Sequence, residues 1–196
     1  MTKLVYVGYG DGGLAIVDAK TWKVVGDVAL AGHPESFQFD AKTGRVFVNV
    51  PSKREIAVVD LETRKVVETW PVKEAESNFP MEIQGADRRL FVACRKPAKL
   101  LVLDPSNGRT FDALPLSGDA DDVFLDEASG RLFVSCGAGS IDVFERGAKG
   151  AYAPAAMDLK ATPAEQALRD ECRAWLREHL PWEYGQGLPP RFDDLA

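Results

Sequence analysis

Eight polar or charged residues stand in the short segments that separate the hydrophobic runs of this chain. They combine carboxylates, cations and one amide, which are groups that bind ligands through ion pairs and hydrogen bonds. No G-x-S-x-G pattern, no glycine-rich phosphate loop before a helix and no Walker pattern accompanies them. We therefore predict no catalytic and no cofactor-binding residues, and we interpret the set as a ligand-binding rim: His33, Glu35, Arg54, Asn78, Arg95, Asp119, Asp121 and Asp122.

The acidic segment 119–122 offers carboxylates of the kind that a hard cation such as Ca²⁺ prefers. Its spacing is not that of an EF-hand loop, and no further ligand is evident in the sequence around it. The two histidines of the chain, His33 and His179, do not form a zinc-binding pattern. We predict no metal site.

The chain has three cysteines, Cys94, Cys136 and Cys172. An odd number without short spacings does not indicate a disulfide framework or a metal cluster. Cys94 and Cys136 stand at the same place in two repeats, described next. We predict that they lie on neighbouring structural units as small buried apolar side chains.

The hydrophobic runs that must position the rim recur along the chain. The segments KLVYVGY, GRVFVNV, RRLFVAC and GRLFVSC begin at residues 3, 44, 88 and 130. Their aromatic residues stand at positions 6, 47, 91 and 133, so the steps are 41, 44 and 42 residues. A repeat of this length is typical of proteins built from stacked, similar units.

Three further hydrophobic segments recur in the same order around each aromatic. The clearest ends in an acidic residue at positions 18, 60, 104 and 145. The segments are rich in Val, Ile, Leu and Phe and are bounded by turn residues such as 43–44 and 107–108, which predicts strands. The two central strands of each repeat are apolar on both faces. Four strands per repeat, stacked face to face, predict the blades of a β-propeller.

The residues 32–34, 45–48, 58–60 and 65–67 read GHP, RVFV, VVD and KVV. This pattern resembles the YVTN repeats of the YncE-like β-propeller family, over residues 3 to about 150. The resemblance implies a propeller fold. It says little about function, because the shared residues are those of packing and turns.

The strand count predicts an arc of blades. With strands labelled a to d from the channel outward, the chain begins at strand b of its first blade, and the last strand d rests on the weak segment 150–158. We predict an all-β, partial β-propeller of three to four four-stranded antiparallel blades. Open apolar faces at both ends predict closure as a four-blade ring or self-association with another copy.

Alternate turns of a four-stranded meander lie at opposite ends of the sheet. The d-to-a crossings and the b-to-c hairpins therefore share one end, which is where the eight rim residues fall. At the other end, Asp60 and Asp104 are predicted to accept hydrogen bonds from turn N–H groups. The repeated Arg45, Arg89 and Arg131 are predicted to form salt links across blades.

The C-terminal segment has a different period. Thr162 and Pro163 suit the start of a helix, and the apolar residues that follow have helical spacing. We predict one amphipathic C-terminal α-helix followed by coil, and the division 1–153 for the propeller fragment, 154–161 for a linker and 162–196 for the tail. The predicted apolar stripe consists of Ala164, Leu168, Cys172, Trp175, Leu176 and Leu180.

The segments 157–159, 162–181 and 190–196 resemble the N-terminal start of an acyl-CoA dehydrogenase. In that family the flavin-binding domain and the catalytic glutamate come much later in the chain, and no segment here matches them. The resemblance implies a fused or truncated fragment that is inactive as it stands. The alternative is a C-terminal helix that caps the last blade.

Composition excludes some partners. With a net charge of −6, the chain is not expected to bind nucleic acid or an anionic membrane. No apolar run is long enough to span a bilayer, and the N-terminus does not have the layout of a signal peptide. YncE-like relatives are often exported, so the resemblance implies a periplasmic location, and the compartment stays open.

The function predicted from these observations is a non-catalytic binding scaffold for an unidentified protein or small ligand. Two alternatives belong to other classes. One is the inactive acyl-CoA dehydrogenase fragment, and the other is a propeller hydrolase of the lactonase type.

Overall fold

The computed structural model describes residues 3–85 and 88–155, and the single positions 167, 168, 170, 171, 174 and 175. The chain divides into two compact units, Met1–Ala156 and Met157–Ala196. The first unit is all-β and carries the predicted rim.

The described part of the first unit contains fifteen strands and two short 3-10 helices, over Pro51–Lys53 and Ala148–Gly150. The strands are β1 Leu4–Tyr9, β2 Gly13–Asp18, β3 Val24–Ala29, β4 Phe37–Asp40, β5 Arg45–Val50, β6 Glu55–Asp60, β7 Lys65–Pro71, β8 Glu76–Gln84, β9 Arg89–Lys96, β10 Ala98–Leu103, β11 Thr110–Pro115, β12 Ala120–Asp126, β13 Arg131–Cys136, β14 Ser140–Arg146 and β15 Tyr152–Ala155.

These strands form four antiparallel sheets, which are the predicted blades. Blade 1 has the order β1-β2-β3, blade 2 β4-β5-β6-β7, blade 3 β8-β9-β10-β11 and blade 4 β12-β13-β14-β15. The first strands of blades 2, 3 and 4 lie next to one another, as the innermost strands of a propeller do. Blade 1 lacks strand a among the described residues, and the weak segment near residue 152 does form strand d of blade 4. The fold is a partial β-propeller.

Aspartates close the turns at the end of the blades opposite the rim. Asp60 Oδ1 accepts a hydrogen bond from the amide of Thr63 at 2.7 Å, and Asp104 Oδ1 accepts one from the amide of Ser106 at 2.8 Å. The hydrogen bond from the Thr63 amide lowers the pKa of the Asp60 carboxyl below its ordinary value. The predicted turn role of both aspartates is confirmed, and Asp18 plays the same role in blade 1.

Three hydrophobic seams join neighbouring blades. In β5 the side chains of Val46 and Val48 pack on blade 1, and that of Phe47 packs on blade 3. All three are fully buried, which explains why the central strands read as continuous apolar runs. Burying a side chain of this size contributes about 2 kcal/mol, so the seams are the main source of stability.

The two described cysteines belong to these seams. Cys94 lies in the second seam, between blades 2 and 3, and Cys136 lies in the third seam, between blades 3 and 4. Both are buried and free, as predicted.

Two of the three repeated arginines, Arg45 and Arg131, form salt bridges within their own blade and not across blades as predicted. Arg45 pairs with Glu68 at 3.3 Å and Arg131 pairs with Glu145 at 2.6 Å, and each pair lies within one blade. A link between blades comes instead from Arg88, the residue before the second repeated arginine. Arg88 forms a salt bridge of 2.7 Å from blade 3 to the buried carboxylate of Asp40 in blade 2.

The six described positions of the second unit all have helical backbone. Leu168 and Trp175 of the predicted apolar stripe are 61% and 57% exposed. The other stripe residues, the predicted linker after Ala155 and the final coil lie outside the described residues. In the described part of the chain no helix has the length and apolarity needed to cross a bilayer.

Candidate functional site

The rim is the end of the blades at which the d-to-a crossings meet the b-to-c hairpins. Backbone hydrogen bonds join each crossing to the hairpin of the blade that it leaves or enters. Examples are the amide of Leu30 to the carbonyl of Gly12 at 2.9 Å, and the amide of Val72 to that of Arg54 at 2.8 Å. The predicted placement of these loops at one end is therefore correct.

Arg95, at the end of β9, is the centre of the largest charged cluster on the rim. Its Nη1 lies 3.1 Å from Asp119 Oδ1 and its Nη2 lies 3.0 Å from Asp121 Oδ1. Its Nε donates to the carbonyl of Ala120 at 3.0 Å, and its guanidinium lies 4.5 Å from the ring centroid of Phe79. The Arg95 side chain of blade 3 thus fixes the position of residues 119–121, where blade 4 begins.

A bulge in β12 explains why both carboxylates reach Arg95. The pairing of β12 with β13 shifts between Ala120 and Asp122, so Asp121 has no partner in the ladder and its side chain is redirected. Asp119 has a positive φ of 52°. Gly137 of the neighbouring hairpin leaves room for it, since a Cβ there would lie 2.4 Å from Asp119 Oδ2.

The same kind of link recurs at each step of the arc. Arg54 in the hairpin of blade 2 forms a salt bridge of 3.0 Å with Glu76 at the start of blade 3. His33 Nδ1, in the crossing into blade 2, donates to the carbonyl of Gly10 in the hairpin of blade 1 at 2.5 Å. The b-to-c hairpin of each of the first three blades is therefore bonded to the segment that leads into the following blade. These bonds fix the positions of the rim loops.

Asn78 lies beneath the rim and not on it. It is fully buried, and its Nδ2 donates to Asn49 Oδ1 at 2.8 Å and to the carbonyl of Glu55 at 3.0 Å. Asn49 in turn donates to the carbonyl of Phe79 at 2.8 Å. The predicted ligand role of Asn78 is corrected to a structural one, because a buried amide with these partners ties blade 2 to blade 3.

The structure does not bring Glu35 and Asp122 into the charged clusters described above. Glu35 is half-buried in the crossing into blade 2, where its amide donates to the carbonyl of Asn49. Asp122 is exposed and accepts a hydrogen bond from the amide of Val123 at 2.8 Å.

Within the described residues no group of three or more His, Cys, Asp or Glu side chains is arranged to hold a metal ion. The two carboxylates most suited to a cation, those of Asp119 and Asp121, both contact the guanidinium of Arg95. Arginine therefore stands where a cation bound by this pair would have to lie.

Glu82 is a residue that the sequence reasoning missed. It lies on β8, the innermost strand of blade 3, and is half-buried. Burial raises the pKa of its carboxyl, and repulsion from Asp122 and Glu127 raises it further. The signal in the sequence was a glutamate that stands between apolar residues in the segment FPMEI of the inner strand.

Two of the solved structures that match the described fold show how far the likeness goes. A functionally unknown protein from Desulfotomaculum acetoxidans matches with a TM-score of 0.67 and 12% identity, over 80% of this chain and 51% of its own. Hydrazine synthase of Kuenenia stuttgartiensis matches with a TM-score of 0.62 and 19% identity, over 79% of this chain and 47% of its own. At these identities the likeness concerns the fold alone.

This chain thus spans about half the length of the two solved structures. A scan against protein-family models finds no match, and a search of the curated proteins finds none.

Proposed function

We propose that this chain is a non-catalytic binding scaffold that presents the rim to a protein or small ligand. The observation that carries the proposal is the Arg95 cluster. Asp119 and Asp121 are 58% and 55% exposed at their side chains, yet the guanidinium of Arg95, whose side chain is 31% exposed, fixes their positions. Side chains that are both accessible and fixed lose little conformational freedom on binding, which favours recognition.

The chemistry of the rim favours a ligand that donates hydrogen bonds. Each carboxylate uses one oxygen toward Arg95 and has its other oxygen for a partner. The chain has a net charge of −6, which attracts a basic ligand. We infer that the partner brings an ammonium, a guanidinium or an amide group to this point of the rim.

The finer kinship that we propose is with YVTN-repeat, YncE-like propellers, on the residues of the repeat given above. For the tail we propose kinship with the N-terminal start of an acyl-CoA dehydrogenase, on the segments given above.

The binding function can be tested with peptides selected from a random library on the purified chain. We expect the selected peptides to be rich in Lys or Arg and to lose affinity at least about tenfold in Arg95→Ala and in Asp119→Asn/Asp121→Asn. Glu62→Gln is a matched control, because Glu62 is an exposed carboxylate at the opposite end of blade 2. Peptides that bind all variants equally well would contradict a rim site.

Glu82 is the observation that favours a second candidate, a hydrolase of the lactonase type. A carboxyl whose pKa is raised by burial is suited to general acid or base catalysis. If the chain hydrolyses members of a lactone panel, Glu82→Gln should abolish turnover, and the variant should unfold at the wild-type temperature or above. Turnover that persists in Glu82→Gln would exclude this role for Glu82.

A further inference from the structure

The two end blades each expose one apolar face. In blade 1, Leu14 and Ile16 of β2 pack on blade 2. The neighbouring side chains of the same sheet therefore point the other way, because side chains alternate along a strand. On β1 these are Val5 and Val7, which are 37% and 44% exposed. We name this surface the blade 1 face: Val5, Val7, Tyr9, Ala15 and Val17.

The apolar face of blade 4 is the one that points away from blade 3. Leu132 and Val134 of β13 pack on blade 3, so Phe133 between them points away from it. An apolar row crosses all four strands at this level, because Phe124 pairs with Phe133, Phe133 with Val143, and Val143 with Ala155. We name this surface the blade 4 face: Phe124, Phe133, Ile141, Val143 and Ala155. Phe124 and Ile141 are 56% and 50% exposed, whereas Val143 in the same row is buried.

The repeat shows what these faces are built to contact. Phe47 of blade 2 packs on blade 3, and Phe91 of blade 3 packs on blade 4, and both are fully buried. Phe133 stands at the same place in blade 4, where no following blade exists in the described chain. The blade 4 face therefore corresponds to the surface with which blades 2 and 3 pack on the blade that follows them.

The blade 1 face corresponds to the surface on which the aromatic residue of a preceding blade packs. In every seam the aromatic of one blade packs on the two residues that flank the aromatic of the next blade, such as Leu90 and Val92 opposite Phe47. Val5 and Val7 flank Tyr6 in the same way. Val5, Val7 and Tyr9 of the blade 1 face and Phe124 and Ile141 of the blade 4 face stay exposed, so the four blades of the described chain do not close a ring on themselves.

We propose that two copies of this chain associate head to tail, the blade 4 face of each packing on the blade 1 face of the other. Each contact then continues the series of seams already present within the chain. Two copies bring eight blades, which is within the range of closed propellers. The matched part of this chain covers only about half of each of the two solved structures named above.

The area of such an assembly is sufficient for a specific complex. A face three strands wide and six residues long measures about 14 by 20 Å, or about 280 Å². Two interfaces with two sides each therefore cover about 1,100 Å², which is enough for a specific interface when the faces are complementary.

The test is the oligomeric state of the full chain, measured by analytical ultracentrifugation. The wild type should sediment at twice the monomer mass of 21.4 kDa. Val7→Arg and Ile141→Arg each place a charge in both interfaces of the dimer, so each should weaken association about a hundredfold or more. Val67→Arg is the matched control, since Val67 is 48% exposed on strand d of blade 2, away from both faces.

Mixing the two variants tests the head-to-tail geometry. Val7→Arg keeps an intact blade 4 face and Ile141→Arg keeps an intact blade 1 face, so an equimolar mixture should regain dimers through one unmodified interface. An isologous contact between identical faces would instead be lost in only one of the variants, and the mixture would not regain it.

Several results would overturn the proposal. These are a monomeric wild type, open filaments in place of a closed dimer, association that Val67→Arg disrupts as strongly, and a mixture that stays monomeric. Circular dichroism of each variant identifies misfolding. If an arginine variant misfolds, Val7→Thr and Ile141→Ser take its place. These substitutions remove the apolar contact without adding a charge, and each should also weaken association.

Discussion

Charged pairs hold neighbouring blades together at both ends of the sheets. At the rim, Arg95 holds two aspartates that are mostly exposed, and at the opposite end Arg88 holds the buried carboxylate of Asp40. Burial disfavours the charge of Asp40, but the hydrogen bonds from Arg88 and Thr43 outweigh it, and the pKa of this carboxyl is lowered. The buried pair is therefore the one that contributes to stability, while the exposed cluster positions the carboxylates of Asp119 and Asp121 on the rim.

Replacement of Asp40 by Asn should destabilise the fold in a pH-dependent way. The lowered pKa means that ionised Asp40 stabilises the folded state, and we expect Asp40→Asn to cost about 2 kcal/mol at neutral pH. That difference should be complete above about pH 5 and should disappear as the pH falls below about 4 and through the lowered pKa. Urea unfolding from pH 7 to pH 2.5 measures it.

The control for this prediction is Glu62→Gln, which removes an exposed carboxylate and should change the unfolding free energy little at any pH. A deficit of Asp40→Asn that persists unchanged at the lowest pH would mean that the carboxylate charge is not what stabilises the pair.

At the scale of the elements, the turns set where each strand begins. Gly44 closes the a-to-b turn of blade 2 and Gly108 closes the c-to-d turn of blade 3, with φ of 65° and 71°. Their surroundings differ. A Cβ on Gly44 would have nothing within 4 Å, whereas one on Gly108 would lie 2.3 Å from the ring of Trp70. Trp70 is buried against Phe47, so this turn also packs on the second seam.

These two glycines offer a matched pair of substitutions. Gly44→Ala should cost about 1 kcal/mol, the strain of a left-handed conformation with a side chain. Gly108→Ala should cost about 1–3 kcal/mol more, because the indole of Trp70 has to move within a packed seam. Thermal unfolding measures both, and the fluorescence of Trp70 should shift only in Gly108→Ala. Equal costs would contradict the contact between the turn and the seam.

At the scale of the molecule, stability is distributed over seams between neighbours. Blades 2 and 3 have a neighbour on each side, and blade 4 has one within the chain. In a single copy of the chain, which is such a linear array, the end unit opens at a lower free energy than the middle units. Cys94 in the second seam and Cys136 in the third seam can report the two openings separately.

We expect both thiols to be unreactive in the native protein and to become reactive in a defined order. Burial raises the pKa of Cys94 to about 12 and raises that of Cys136 as well, so neither forms the reactive thiolate at pH 8. In a Cys172→Ser variant, rising urea should expose Cys136 before Cys94. Labelling with a thiol reagent and mass spectrometry measures the order, and simultaneous labelling would indicate one cooperative unit.

The sequence by itself determined the strands, the turns and the blades of this protein. Alternating apolar residues and turn residues act over a few positions, so the repeat from Tyr6 to Phe133 could be interpreted without long-range information. The same is true of Asp60 and Asp104, whose hydrogen-bond partners lie within three residues.

Only the tertiary structure decided which polar groups meet. Arg95 contacts Asp121, 26 residues away, because a bulge in β12 redirects that side chain, and no local pattern announces the bulge. Asn78 is buried against Asn49 for a similar reason, since the register of β8 shifts beside it. A one-residue shift reverses the direction of a strand side chain, so the composition of the rim depends on details of register that the repeat does not specify.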